Sequence, residues 1–139
     1  MKKIIIFGGV GVLVVIIGIV AAVFFLNQEP KVVEVSYLEF PLGEQYTNIA
    51  VPEGETPSRK PVLKYKPVIQ YTNEELTLSL TANQTLLLNE FRKYFMSRNA
   101  VQLSRLDRVQ EDLKEIAIEI LKSTSEDVTN VFFLEFIIQ

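Results

Sequence analysis

The 139-residue chain contains no histidine and no cysteine. Without them the usual zinc ligand sets cannot be built. A Ser-His-Asp triad and a Cys-His pair are equally impossible. Lack of cysteine also excludes disulfide stapling and a lipoprotein anchor at a processed cysteine. Glycine is scarce beyond residue 26, with only Gly43 and Gly54, so no glycine-rich loop is present to cradle phosphate. An all-oxygen metal site would have to use carboxylate pairs such as Glu111-Asp112 or Glu126-Asp127, which read more simply as a solvated helix face and a loop. We therefore expect no catalytic residues, no metal, no cofactor and no small-molecule substrate.

Ile4 to Leu26 is a run of 23 residues without a charged side chain, directly behind Met1-Lys2-Lys3. About 20 apolar residues cross a roughly 30 Å hydrocarbon core. At about 1.5 Å per residue this run reaches roughly 35 Å, enough to span with some tilt. Lys2 and Lys3 lie on one side, and the early charges on the other are mostly acidic (Glu29, Glu34, Glu39, Glu44). The positive-inside rule then places residues 1–3 in the cytoplasm, 4–26 across the inner membrane and 27–139 outside, in the periplasm of a bacterium with two membranes. The competing reading is a cleaved signal peptide with a poor site at Val20-Ala21-Ala22. The run is longer than the usual 7–15-residue apolar stretch of a signal, which favours a retained anchor. Within it, Gly18 and Ala22 form a small-xxx-small pair that would let a neighbouring helix approach; plain lipid exposure is the simpler alternative.

Removing Lys2 and Lys3 from the 14 basic residues leaves 12 against 17 acidic ones, a net charge of −5 for residues 27–139. That balance argues against nucleic acid as a partner and against a polybasic grip on anionic lipid. The size suits one small domain able to fold without disulfides.

Residues 27–36 read as a linker and the start of a first strand that runs over 32–42. Tyr46–Val51 reads as a second strand and the proline-rich stretch 52–61 as an exposed loop. Val62–Tyr71 is a clearer strand, with Leu63, Tyr65, Ile69 and Tyr71 on one face; Pro67 marks it as an edge strand or the site of a bulge. Thr72 and Glu75 are spaced as a capping box for a helix over 74–97. Residues 99–103 read as a break. Ser104 with Asp107 then caps a second helix, whose apolar stripe is Leu106, Val109, Leu113, Ile116, Ala117 and Ile120. On its surface Arg108 and Asp112 are spaced as a favourable pair.

Val128–Gln139 is apolar on both faces apart from Glu135, which predicts a central strand covered on both sides. Phe132, Leu134, Phe136 and Ile138 are expected to share its helix-facing side. Glu135 pairs with Lys64 or Lys66 across the sheet, sits near the strand end in water, or faces a partner, the structural readings being the simpler. The fold class expected is α+β: an N-terminal transmembrane helix, then a domain of about four strands packed on two helices.

The order of these features resembles the FliL family of flagellar basal-body-associated proteins. The resemblance covers the whole chain. It is carried by the apolar anchor, the linker, Tyr37-x-x-Phe40-Pro41-Leu42, the strand leading into Tyr71-Thr-Asn-Glu-Glu-Leu76, and the two helices. Its most specific part is the closing strand, with Phe133, Glu135, Phe136, Ile137, Ile138 and Gln139 at the motif positions. Thr77, Ser79 and Thr81 stand where many members carry charged residues. The resemblance implies a stomatin-like (SPFH-type) periplasmic domain over residues 37–139. It implies a non-enzymatic protein that forms a homo-oligomeric ring around flagellar stator units and affects motor output and swarming.

A ring needs unlike faces on each subunit. Basic Arg59-Lys60 and Lys64-Lys66 against an acidic remainder supply a contrast of that kind, although ordinary surface charge gives the same pattern. Arg59 and Lys60 in the proline-rich loop, with Arg105 and Arg108 on the second helix, are the candidate partner-facing residues. The alternatives are a generic single-pass envelope scaffold and, less compatible with the missing residue types, an envelope hydrolase.

Overall fold

The structure is a computed structural model that describes residues 34–139. The expected membrane span 4–26, with Gly18 and Ala22, lies outside the described residues. Among the described residues no helix is long and apolar enough to cross a membrane.

Val35–Gln139 form one compact unit of the α+β class. The elements run in the order β1 (Leu38–Pro41), β2 (Gln45–Asn48), β3 (Val62–Tyr71), α1 (Leu76–Met96), α2 (Ala100–Leu103), α3 (Leu106–Leu121) and β4 (Val128–Ile138). The four strands make one antiparallel sheet. β3 is its centre. β1 pairs with the Val68–Tyr71 half of β3 and β2 with the Val62–Tyr65 half, both on the same side. β4 pairs along nearly all of β3 on the other side.

Two expectations are corrected here. Of the two readings of Pro67, the edge is wrong, since it lies in the central strand, and the bulge is right, since the register with β4 shifts between Tyr65 and Pro67. Its carbonyl accepts from the Leu42 amide at 3.0 Å. A strand residue points its N–H and C=O to the same side, so the donor that proline lacks falls in the gap between β1 and β2. Gly43, at φ +82, takes the left-handed conformation that the chain needs in that gap. The second correction is β4, which among the described residues is an edge strand with one neighbour and not a central one.

β4 also changes phase. Tyr65 pairs with Phe136 but Pro67 pairs with Phe133, so β4 has one extra residue between them. This bulge turns both Leu134 and Glu135 away from the helices. Val131, Phe133, Phe136 and Ile138 therefore face the core, and Leu134 is 68% exposed. The expected inward set Phe132, Leu134, Phe136 and Ile138 is right only beyond the bulge.

The helices cover one face of the sheet. Leu80, Leu87, Phe91 and Phe95 of α1 and Val109, Leu113 and Ala117 of α3 are buried against Leu63, Tyr65, Ile69 and Val131. Phe95 is the centre of an aromatic group. Its ring centroid lies 4.6 Å from Tyr65, 6.0 Å from Phe136 and 6.3 Å from Phe133. The tilted geometries are those that aromatic quadrupoles favour.

The caps differ from the spacing-based reading. α1 starts at Leu76, and Glu75 makes no side-chain cap bond. Asn73 Oδ1 instead accepts from the Glu75 amide at 3.0 Å, and the Thr72 hydroxyl donates to the Glu126 carbonyl. The 99–103 segment is a short helix rather than a break. It opens with a full capping box: Asn99 Oδ1 accepts from the Gln102 amide and Gln102 Oε1 accepts from the Asn99 amide, each at 3.0 Å. Ser104 does not cap α3; its hydroxyl donates back to the Val101 carbonyl, and the residue before α3 is Arg105.

Candidate functional site

The sheet face away from the helices carries a four-membered ion cluster. β3 alternation sends Lys64 and Lys66 to this face, and the bulge in β4 brings Glu135 opposite them. Lys64 Nζ is 2.9 Å from Glu135 Oε1, and Lys66 Nζ is 3.0 Å from Glu135 Oε2. Glu44, from the turn before β2, completes the set at 3.2 Å from Lys66 and 3.6 Å from Lys64. The Tyr46 hydroxyl donates to Glu44. Hydrogen bonds from Lys64 and then Lys66 hold the Glu135 carboxyl below its ordinary pKa. Tyr46, then Lys66, does the same for Glu44. Glu135 in turn raises both lysines. Two positive and two negative charges leave the cluster neutral, so it orders this face without giving it a strong sign. Glu135 thus bonds both lysines across the sheet, as one of its three expected readings had it.

Apolar groups border the cluster. Leu134, Ile137 and Tyr46 are exposed large side chains. Among the described residues nothing covers this sheet face or the outer edge of β4, which together form a partly apolar surface.

Arg59 and Lys60 are exposed in the proline-rich loop. With Val51, Pro57, Val101 and Gln139 they border an open cavity of about 610 Å³. Gln139 closes the ladder by exchanging two 2.9 Å backbone bonds with Val62. Arg105 and Arg108 are exposed at the start of α3, around a shallow depression shared with Asp107, Glu111, Asp112 and Glu115. The two basic pairs border different depressions and share no lining residue.

The expected Arg108–Asp112 pair does not form. Asp112 Oδ2 instead accepts from the Tyr94 hydroxyl at 2.7 Å and lies 3.7 Å from Arg98. The Arg98 guanidinium stacks 3.6 Å above the Tyr94 ring. Burial, then the bond to Asp112, raises the Tyr94 pKa. This α1–α3 clasp was missed because its partners are distant in sequence and no local spacing links them.

Among the described residues no group of three Asp or Glu side chains is placed to hold a metal. Comparison with protein-family models gives no match, and comparison with curated proteins gives none.

Proposed function

We propose that this chain is a non-enzymatic, single-pass inner-membrane protein of the flagellar basal body. Its periplasmic domain, similar to stomatin-like domains, self-associates into a ring around stator units and tunes torque, motility and swarming. The observation that carries this reading is the structural role of the closing motif. Phe133 and Phe136 enter the aromatic core, with ring centroids 4.9 Å apart. Glu135 binds two lysines, and Gln139 ends the ladder. The motif residues behind the resemblance are thus the ones that organise the strand.

Two further features support an interaction module. Among the described residues the helices cover one sheet face and leave the other open, and the basic pairs Arg59-Lys60 and Arg105-Arg108 are exposed around different depressions. An anchor holding such domains in one plane raises their effective concentration, so weak contacts suffice to close a ring.

The test is charge reversal away from the core. Arg59→Glu with Lys60→Glu, and Arg105→Glu with Arg108→Glu, leave every buried contact in place. At least one pair should reduce swimming or swarming under viscous load at normal protein level and membrane location. Unchanged motility in both pairs and in a deletion strain would overturn the stator reading, and a generic envelope scaffold would replace it.

A further inference from the structure

Two incomplete pieces of sheet lie in this chain. One is the outer edge of β4. Val62 and Gln139 exchange both of their backbone bonds. By antiparallel alternation the N–H and C=O groups of Phe136 and Ile138 then point outward. Among the described residues these groups find no backbone partner. Exposed sheet edges are normally blunted by lysine, proline, bulges or very short strands. β4 is 11 residues long and has no lysine or proline; its only charge, Glu135, is held by two lysines, and its bulge lies before Phe136, leaving Phe136–Ile138 in regular register with Tyr65–Leu63.

The other piece is the segment that enters β1. Val32-Val-Glu-Val-Ser-Tyr37 has the β-branched, alternating composition of a strand. Yet pairing with β3 begins only at Leu38. Val35 and Tyr37 are 50% and 57% exposed. Val35–Tyr37 form no strand here, and the segment cannot pair with its own β4 edge. β1 and β4 flank β3, so the free edge is about three strand spacings, or roughly 14 Å, from β1. Leu38 is already paired with Tyr71, and Tyr37 lies only about 3.8 Å from it, so a strand that includes Tyr37 cannot lie along that edge.

We infer that residues 32–37 of one copy add as a strand to the free β4 edge of the next. The contact joins unlike surfaces, so it propagates head to tail as a ring requires. Backbone bonds supply the pairing, and the apolar side chains of Val33, Val35 and Tyr37 meet a surface that already exposes Leu134 and Ile137. The inference rests on the self-association in the proposed function, but not on the stator.

The cysteine-free chain makes the test direct. Full-length protein carrying Val35→Cys with Leu134→Cys, or Val35→Cys with Ile137→Cys, is oxidised in native membranes. At least one combination should give a ladder of dimers, trimers and larger species. Mixing copies that carry one cysteine each should stop at dimers. Cysteines scanned through 34–37 should cross-link with a period of two. Val35→Cys with Glu119→Cys, on the exposed side of α3, should give no ladder. Ser36→Pro, which removes a donor outside the core, should abolish the ladder without changing the melting temperature of the domain. The inference is overturned if neither combination ladders, if Ser36→Pro ladders fully, or if Leu134→Cys alone cross-links as well as the mixture, which would mean β4 pairs with β4. A ladder in cells whose motility ignores the protein would sink the stator reading and leave this contact standing.

Discussion

The bulge in β4 can be tested with two neighbouring truncations. Phe133 is half-buried against Tyr65, Phe95 and Phe136, with centroids between 4.9 and 6.5 Å away. Leu134, one residue on, is largely exposed. Truncating a fully buried Phe costs about 3–5 kcal/mol. Discounting for partial exposure leaves about 2–4 kcal/mol for Phe133→Ala. Leu134→Ala should stay within about 0.5 kcal/mol of wild type, as surface changes usually do. With a urea slope of about 2 kcal/mol/M, the Phe133→Ala midpoint should fall by roughly 1–2 M and the Leu134→Ala midpoint by less than about 0.3 M. The assay is urea unfolding followed by far-UV circular dichroism. A larger loss for Leu134→Ala than for Phe133→Ala would mean that the strand keeps a plain alternation, and the bulge would be wrong.

Two further predictions concern the last turn of α3 and the ion cluster. Lys122 caps α3 in the left-handed conformation at φ +50, which costs a side-chain-bearing residue about 1–2 kcal/mol. Lys122→Gly should therefore raise stability by about 1 kcal/mol, or roughly 4–8 °C in Tm; an unchanged or lower Tm would refute the strain. Glu44 and Glu135 have folded pKa values below their ordinary 4.5, so their contribution is present above pH 4.5 and is lost as the pH falls through the folded values. Lys64 and Lys66 are raised above 10.5, so their share persists below that pH and fades as the pH climbs through the folded values. Glu135→Gln should flatten the acid limb of a stability profile below pH 4.5, and an unaltered acid limb would contradict the cluster.

Much of this fold was legible because its signals were local. β3 spans Val62–Tyr71 as its alternation predicts, and α1 differs from the expected 74–97 by two residues at its start and one at its end. The Leu76–Leu80 stretch had strand spacing but is helical. There the tertiary demand to bury Leu80 overrode the alternation, leaving Leu78 in solvent. The errors gathered in β4. Its apolarity on both sides suggested a doubly covered strand, when it marks an edge with apolar side chains left outside. No residue of β4 itself announces the bulge, but Pro67 on the facing strand did, and a lone Glu among apolar residues was a second clue that one register position differed. Pro67 pointed to an edge or a bulge; the bulge is there, whereas the gap between β1 and β2 that accepts a proline in the central strand is a tertiary feature that no neighbouring residue reveals. At the candidate surface, pairing of Glu135 with the lysines followed from strand geometry. The Tyr94–Asp112–Arg98 clasp required the packing of α1 on α3.

The central claim is that copies of this chain encircle stator units. Electron microscopy of the full-length protein, purified in detergent alone and together with the stator units of its own cell, tests it most directly. The account predicts a closed ring of periplasmic domains surrounding the stator, with at most partial rings in its absence. Single copies on the side of the stator, or no association with it at all, would contradict the account.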